Sequence, residues 1–237
     1  MNPILLGVAL AVTAGSVTAI SARDGRTALV GLAIALGVAP FLGDPLPQVA
    51  TMAARVVGAA LTAYLLRAAI AAAPAAPARG PRPPSGSRIG WPAEALLAAA
   101  AWIVAVSLAR GLADLAPSGP GAASTDVIGY FTPAAVAAAA GLASMSVAIV
   151  PAFAGRDALG TTIGSLVLIQ GVLLFRIGVA GPPGDLEQLG GVMLLLAIGV
   201  AGAWLIGAEG RRTLARPEGL EMATTSGADE APGGPTR

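Results

Sequence analysis

The stretch from Gly155 to Gly207 most constrains the fold, because it holds two long apolar runs joined by a very short turn. The turn reads GPPGDLEQ, and each run is long enough to cross a hydrocarbon layer about 30 Å thick. Charged residues make up only 11% of the whole chain and hydrophobic residues 55%, whereas soluble domains are about 25% charged. The sequence therefore predicts a helical membrane protein.

Successive apolar runs along the chain predict an all-α, polytopic membrane bundle of about seven transmembrane helices. The expected runs cover residues 4–20, 27–42, 49–73, 91–109 and 132–151, with a sixth beginning at 156 and a seventh ending near 207. Thr132 and Pro133 are typical of a helix start. Asp24 is placed to cap the second helix through its carboxylate.

Part of the chain is used twice, at an offset of 133 residues. The matching positions are Arg23 with Arg156, Asp24 with Asp157, and Gly31 with Gly164. In both copies a Pro-rich acidic turn, GDPLPQ or GPPGDLEQ, follows the apolar run. We therefore expect a three-helix unit that is duplicated in parallel, with the fourth helix as the link between the copies.

These features divide the chain into five parts. They are a first repeat at 1–73, a Pro- and Arg-rich linker at 74–90, the fourth helix with a polar loop at 91–131, a second repeat at 132–207, and a tail at 208–237. The tail is rich in Gly, Pro, Ser and Thr, so we expect it to be disordered.

The arginines predict the orientation of the helices. If the chain crosses the membrane seven times, eleven of its 14 basic residues, all arginine, lie on the side that faces away from the N-terminus. The positive-inside rule then places the N-terminus outside and the C-terminus in the cytoplasm of a multi-pass protein of the inner (plasma) membrane.

Several classes of function are disfavoured by the composition. The chain has no Cys and no His, which removes the usual ligands of zinc, haem and iron–sulfur clusters, and we expect no cofactor and no metal. No helix offers paired acids, or a nucleophile with a base, so we expect no catalytic residues. The arginines of the linker have no interleaved aromatic residues, so we expect a lipid bilayer and not nucleic acid as the partner.

Four polar residues within the apolar runs are the candidate functional side chains: Arg55, Gln170, Arg176 and Glu187. Arg55 and Glu187 lie at similar depths in the two repeats, so they either pair or extend separately to the headgroups. Gln170 and Arg176 are about 120° apart around one helix, which predicts that they do not share a face. Gln170 is suited to an interhelical hydrogen bond, and Arg176 to snorkelling.

The sixth and seventh helices resemble a known family. The residues that carry the resemblance are Arg156, Asp157, Gly164, Ile169-Gln170-Gly171 and Leu186-Glu187-Gln188-Leu189-Gly190. They are similar to the small membrane subunit K of NADH-quinone oxidoreductase (complex I) and, more closely, to component E of formate-hydrogenlyase-type hydrogenases. The buried glutamate that this family uses for proton transfer is replaced by Ile169. The resemblance therefore implies a scaffold, or a channel subunit that has lost its proton path.

Two functions remain as hypotheses, and a membrane enzyme ranks below both. The first is a non-catalytic integral subunit of a complex I-like, hydrogenase-like or cation/proton antiporter-like assembly, packed against larger multispanning proton-channel subunits. The second is a stand-alone transporter or exporter with its pathway between the two repeats.

Overall fold

The computed structural model describes residues 3–43, 48–72, 90–115, 132–155, 157–181 and 183–214. Its α-helices are α1 (Pro3–Ser21), α2 (Gly25–Val38), α3 (Val49–Ala72), α4 (Trp91–Leu115), α5 (Pro133–Ala154), α6 (Ala158–Ala180) and α7 (Asp185–Leu214). A 3-10 turn, Ala39–Leu42, follows α2. Nearly all of the linker, the loop after α4, the tail from residue 215 and Arg156 lie outside the described residues.

The predicted all-α membrane bundle is confirmed. Seven helices are long and apolar enough to cross a membrane, and no strand is found in the part of the chain that the structure describes. The outer helices leave most of their surface uncovered, since 17% of the spanning window of α7 and 22% of that of α4 are buried, against 56% for α5. The bundle therefore packs around α5 and α6, and its other faces are available to lipid.

Three predicted helix ends are wrong. Helix α4 continues past residue 109 to Leu115, α5 continues past Pro151 to Ala154, and α7 continues past Gly207 to Leu214. The part of the predicted tail at 208–214 is thus helical. The ends were placed where the apolar residues stop, but a helix also continues as a polar segment once it leaves the hydrocarbon. Pro151 is tolerated because it lies in the last turn of α5.

The duplication is visible at equivalent helix ends. Helix α1 ends at Ser21 and α2 begins at Gly25, and 133 residues later α5 ends at Ala154 and α6 begins at Ala158. Each helix of the first repeat contacts its counterpart in the second: α1 with α5, α2 with α6, and α3 with α7. A twofold axis that runs parallel to the helices produces such contacts, as a parallel repeat requires.

Close packing inside each repeat follows the same offset. A Cβ atom added at Gly31 would lie 2.6 Å from the backbone nitrogen of Ala19 in α1. One added at Gly164 would lie 2.5 Å from the nitrogen of Ala152 in α5, which is the equivalent residue. Glycine is thus used at both sites to let two helix backbones touch.

Polar side chains fix the helix starts and some of the helix contacts. Thr132 caps α5 as predicted, by accepting from the backbone N–H of Ala135 at 3.1 Å. Asp157 caps α6 in the same way, whereas its counterpart Asp24 occupies the N-cap position of α2 without accepting a backbone hydrogen bond. The expected cap by Asp24 is therefore wrong: its carboxylate oxygen lies 3.4 Å from the hydroxyl of Thr27.

Candidate functional site

One cavity gathers all four of the polar residues that the sequence indicates. It lies between α2, α3, α6 and α7, at the end of the bundle where α3 and α7 begin. Its enclosed volume is about 30 Å³, or about 540 Å³ when the space open at its mouth is counted. The polar residues of its wall are Arg55, Gln170, Arg176, Glu187 and Gln188. Leu36, Leu173, Ile177 and Leu195 are among its apolar residues.

Arg176 and Glu187 form an ion pair at the mouth of this cavity. The Nη1 atom of Arg176 lies 2.7 Å from Oε1 of Glu187, and the two side chains are 40% and 50% exposed. The alternative in which Glu187 pairs with Arg55 is therefore not realised. The short connection between α6 and α7 explains the choice, because it brings the last turn and a half of α6 beside the first turn of α7.

Arg55 enters the cavity from α3 and is left with its charge uncompensated. It forms no hydrogen bond and no ion pair with any residue that the structure describes. It lies six residues after the start of α3, about 9 Å along the helix axis. An arginine at that depth is costly unless it reaches water or an acceptor.

Gln170 forms the deep end of the cavity. Its side chain is 2% exposed, and its Nε2 donor has no partner among the described residues. The prediction that Gln170 and Arg176 do not share a face is wrong in its consequence, because both line the cavity. They belong to one inclined ridge of α6, formed with Leu173 at three-residue spacing, and such a ridge winds about 60° around the helix at each step.

Gln188 is a cavity residue that the sequence reasoning did not select. Its side chain is 7% exposed, its Nε2 donates to the carbonyl of Pro183 at 2.9 Å, and its Oε1 has no partner in the described chain. The repeat held the necessary signal, since Gln188 is the counterpart of Arg55. Gly58 and Gly191 are counterparts as well and also line the cavity.

The polar surface of the cavity ends near the middle of the bundle. Gln170 lies 12 residues after the start of α6 and 10 before its end, about 15 Å or more from either end. Beyond it, α6 turns Ile163, Leu166 and Val167 into the apolar core. No Asp, Glu or Arg occupies the middle third of any helix in the described ranges.

The groups around the cavity are donors more than acceptors. Two arginines and one glutamate leave a net positive charge, and one amide donor is unused. Among the described residues, no three acidic side chains lie close enough to hold a metal ion. The arrangement thus suits recognition of a polar or negatively charged group better than acid–base chemistry. The chain matches no protein-family model, no curated protein and no solved structure.

Proposed function

We propose that this membrane protein is a non-catalytic subunit of a larger assembly of the complex I-like, hydrogenase-like or cation/proton antiporter-like type. In this proposal its exposed helices pack against larger multispanning proton-channel subunits. The N-terminus lies outside and the C-terminus in the cytoplasm of the inner (plasma) membrane, in accord with the distribution of arginine.

The observation that carries this proposal is the end of the polar cavity at Gln170. A proton or cation needs titratable or strongly polar groups across the whole hydrocarbon layer of about 30 Å. In the described chain such groups extend from one end of the bundle to its middle and are followed by core residues such as Leu166. The chain thus holds half of a path, and a conducting assembly requires another subunit to supply the rest.

A stand-alone transporter is the second candidate. It is favoured by the position of the cavity between the repeats, with the equivalent residues Arg55 and Gln188 in its wall. Transporters built from repeats bind their substrates at the interface between the repeats. This function would require the cavity to open alternately to the two sides of the membrane.

The experiment that separates the two candidates combines purification with a flux measurement. The full chain is extracted from its native membrane in a mild detergent, its companions are identified, and the isolated chain is assayed for proton flux in liposomes. We expect larger multispanning subunits to co-purify and the isolated chain to conduct no protons.

Two variants make the flux result specific. Gln170→Ala removes the deep amide of the cavity, whereas Ser165→Ala, on the same helix, removes a hydroxyl that bonds to the carbonyl of Thr161 outside it. If the protein purifies alone and its flux is abolished by Gln170→Ala but not by Ser165→Ala, the subunit proposal is refuted in favour of the transporter.

A further inference from the structure

The cavity between α3, α6 and α7 has the chemistry of an anion site. We infer that it binds a phosphate-type oxyanion, either the headgroup of an anionic phospholipid or free phosphate, through Arg55 and Gln170. This inference goes beyond the proposed function and does not depend on it, because the binding groups all belong to this chain.

Arg55 supplies the first half of the site. Its guanidinium carries five donors in a fixed fork that matches the oxygen atoms of a phosphate. It lines the cavity about 9 Å from the start of its helix, and none of the described residues offers it an acceptor. A charged group in this position is stabilised when an anion enters the cavity.

Gln170 supplies the second half, independently of any arginine. Its side chain is 98% buried, and the Nε2 donor has no partner among the described groups although the residue lines the cavity. Buried donors of this kind are rare in folded proteins unless a ligand or a water satisfies them. A cation is a poor candidate, because the unused groups at this depth are an amide donor and a guanidinium.

The acids near the cavity do not neutralise Arg55. Glu187 is held by Arg176 at 2.7 Å. Asp185, at the start of α7, accepts from the hydroxyl of Thr51 at 3.4 Å, and it does not line the cavity. The positive charge of Arg55 thus remains directed to a ligand.

The dimensions of the cavity agree with a single oxyanion group. The enclosed volume of about 30 Å³ corresponds to roughly two sites for water-sized molecules, at about 10–15 Å³ each. The mouth brings the total to about 540 Å³, which leaves room for the remainder of a headgroup. The cavity therefore accepts one phosphate group with its substituent directed outward.

The test measures binding to the full-length protein in a neutral detergent and in nanodiscs. Inorganic phosphate is titrated by calorimetry, and phosphatidylglycerol retained in phosphatidylcholine nanodiscs is measured by native mass spectrometry. We expect at least one of these probes to bind, and the probe that binds identifies the source of the phosphate group.

Variants then assign the binding to the cavity. Arg55→Gln is expected to weaken binding about tenfold to a hundredfold, and Gln170→Leu about threefold to tenfold, in line with the loss of a charged and of a neutral hydrogen bond. Arg67→Gln is the matched control, because Arg67 belongs to the same helix, is exposed and does not line the cavity. It is expected to leave binding unchanged.

A thermal melt of the unliganded protein separates a binding arginine from a structural one. Since Arg55 has no partner in the described chain, Arg55→Gln is expected to leave the melting temperature unchanged or to raise it. Asp44→Asn tests whether this carboxylate, which precedes α3 in the sequence, is the partner of Arg55. The inference is overturned if neither probe binds, if Arg55→Gln and Arg67→Gln weaken binding equally, or if Arg55→Gln and Asp44→Asn both lower the melting temperature.

Discussion

Gly164→Ala is a direct test of the packing between α5 and α6. The added Cβ atom would lie 2.5 Å from the backbone nitrogen of Ala152 and 2.8 Å from the carbonyl carbon of Pro151. Backbone atoms cannot rotate away as side chains do, so the helices must separate, at an overpacking cost near the upper end of about 1–3 kcal/mol. The better helix propensity of alanine offsets about 1 kcal/mol of this cost. We expect a net loss of about 2 kcal/mol.

The assay is a thermal melt of the purified chain in detergent, in which that loss lowers the melting temperature by about 4–8 °C. Gly31→Ala should behave in the same way, because Gly31 meets Ala19 at 2.6 Å in the first repeat. Gly37→Ala is the matched control, since a Cβ atom there has no neighbour within 4 Å and should stabilise the chain slightly. The reasoning is refuted if Gly164→Ala raises the melting temperature as Gly37→Ala does.

Two further predictions concern a helix cap and the orientation of the chain. Asp157→Ala should destabilise the protein by about 1 kcal/mol, because Asp157 accepts from the N–H of Gly160 at 3.1 Å, whereas Asp24→Ala should cost less, since Asp24 makes no such bond. Equal losses in thermal melts would contradict this difference. A fluorescent reporter that folds only in the cytoplasm should be active when fused after Arg237, and activity of an export-dependent reporter at that position would reverse the proposed orientation.

The sequence was sufficient to predict the number of helices and the duplication. Both depend on long apolar runs and on their spacing, and these survive in the structure because the hydrocarbon layer sets the length of each helix. The equivalence of Gly31 and Gly164 is an example, since the offset of 133 residues that relates them in the sequence also relates their close contacts in α1 and α5.

The partner of each charged side chain was not predictable in the same way. Helical periodicity placed Arg55 and Glu187 at similar depths, but the choice between Arg55 and Arg176 as the partner of Glu187 depends on side-chain reach across the turn from α6 to α7. The cap at Asp24 was missed for a related reason. The same residue type at the same repeat position bonds to the backbone in α6 and not in α2.

Pro40 explains why the cavity is polar on the side of the second repeat. In the first repeat it converts the end of α2 into a 3-10 turn, whereas its counterpart in the second repeat is Leu173, and α6 continues unbroken to Ala180. The additional turns of α6 carry Arg176, whose counterpart in the first repeat is Gly43. Likewise, Gln170 corresponds to Gly37. Because one helix was shortened and the other kept its length, the duplicated unit acquired a polar wall on one side only, opposite Arg55.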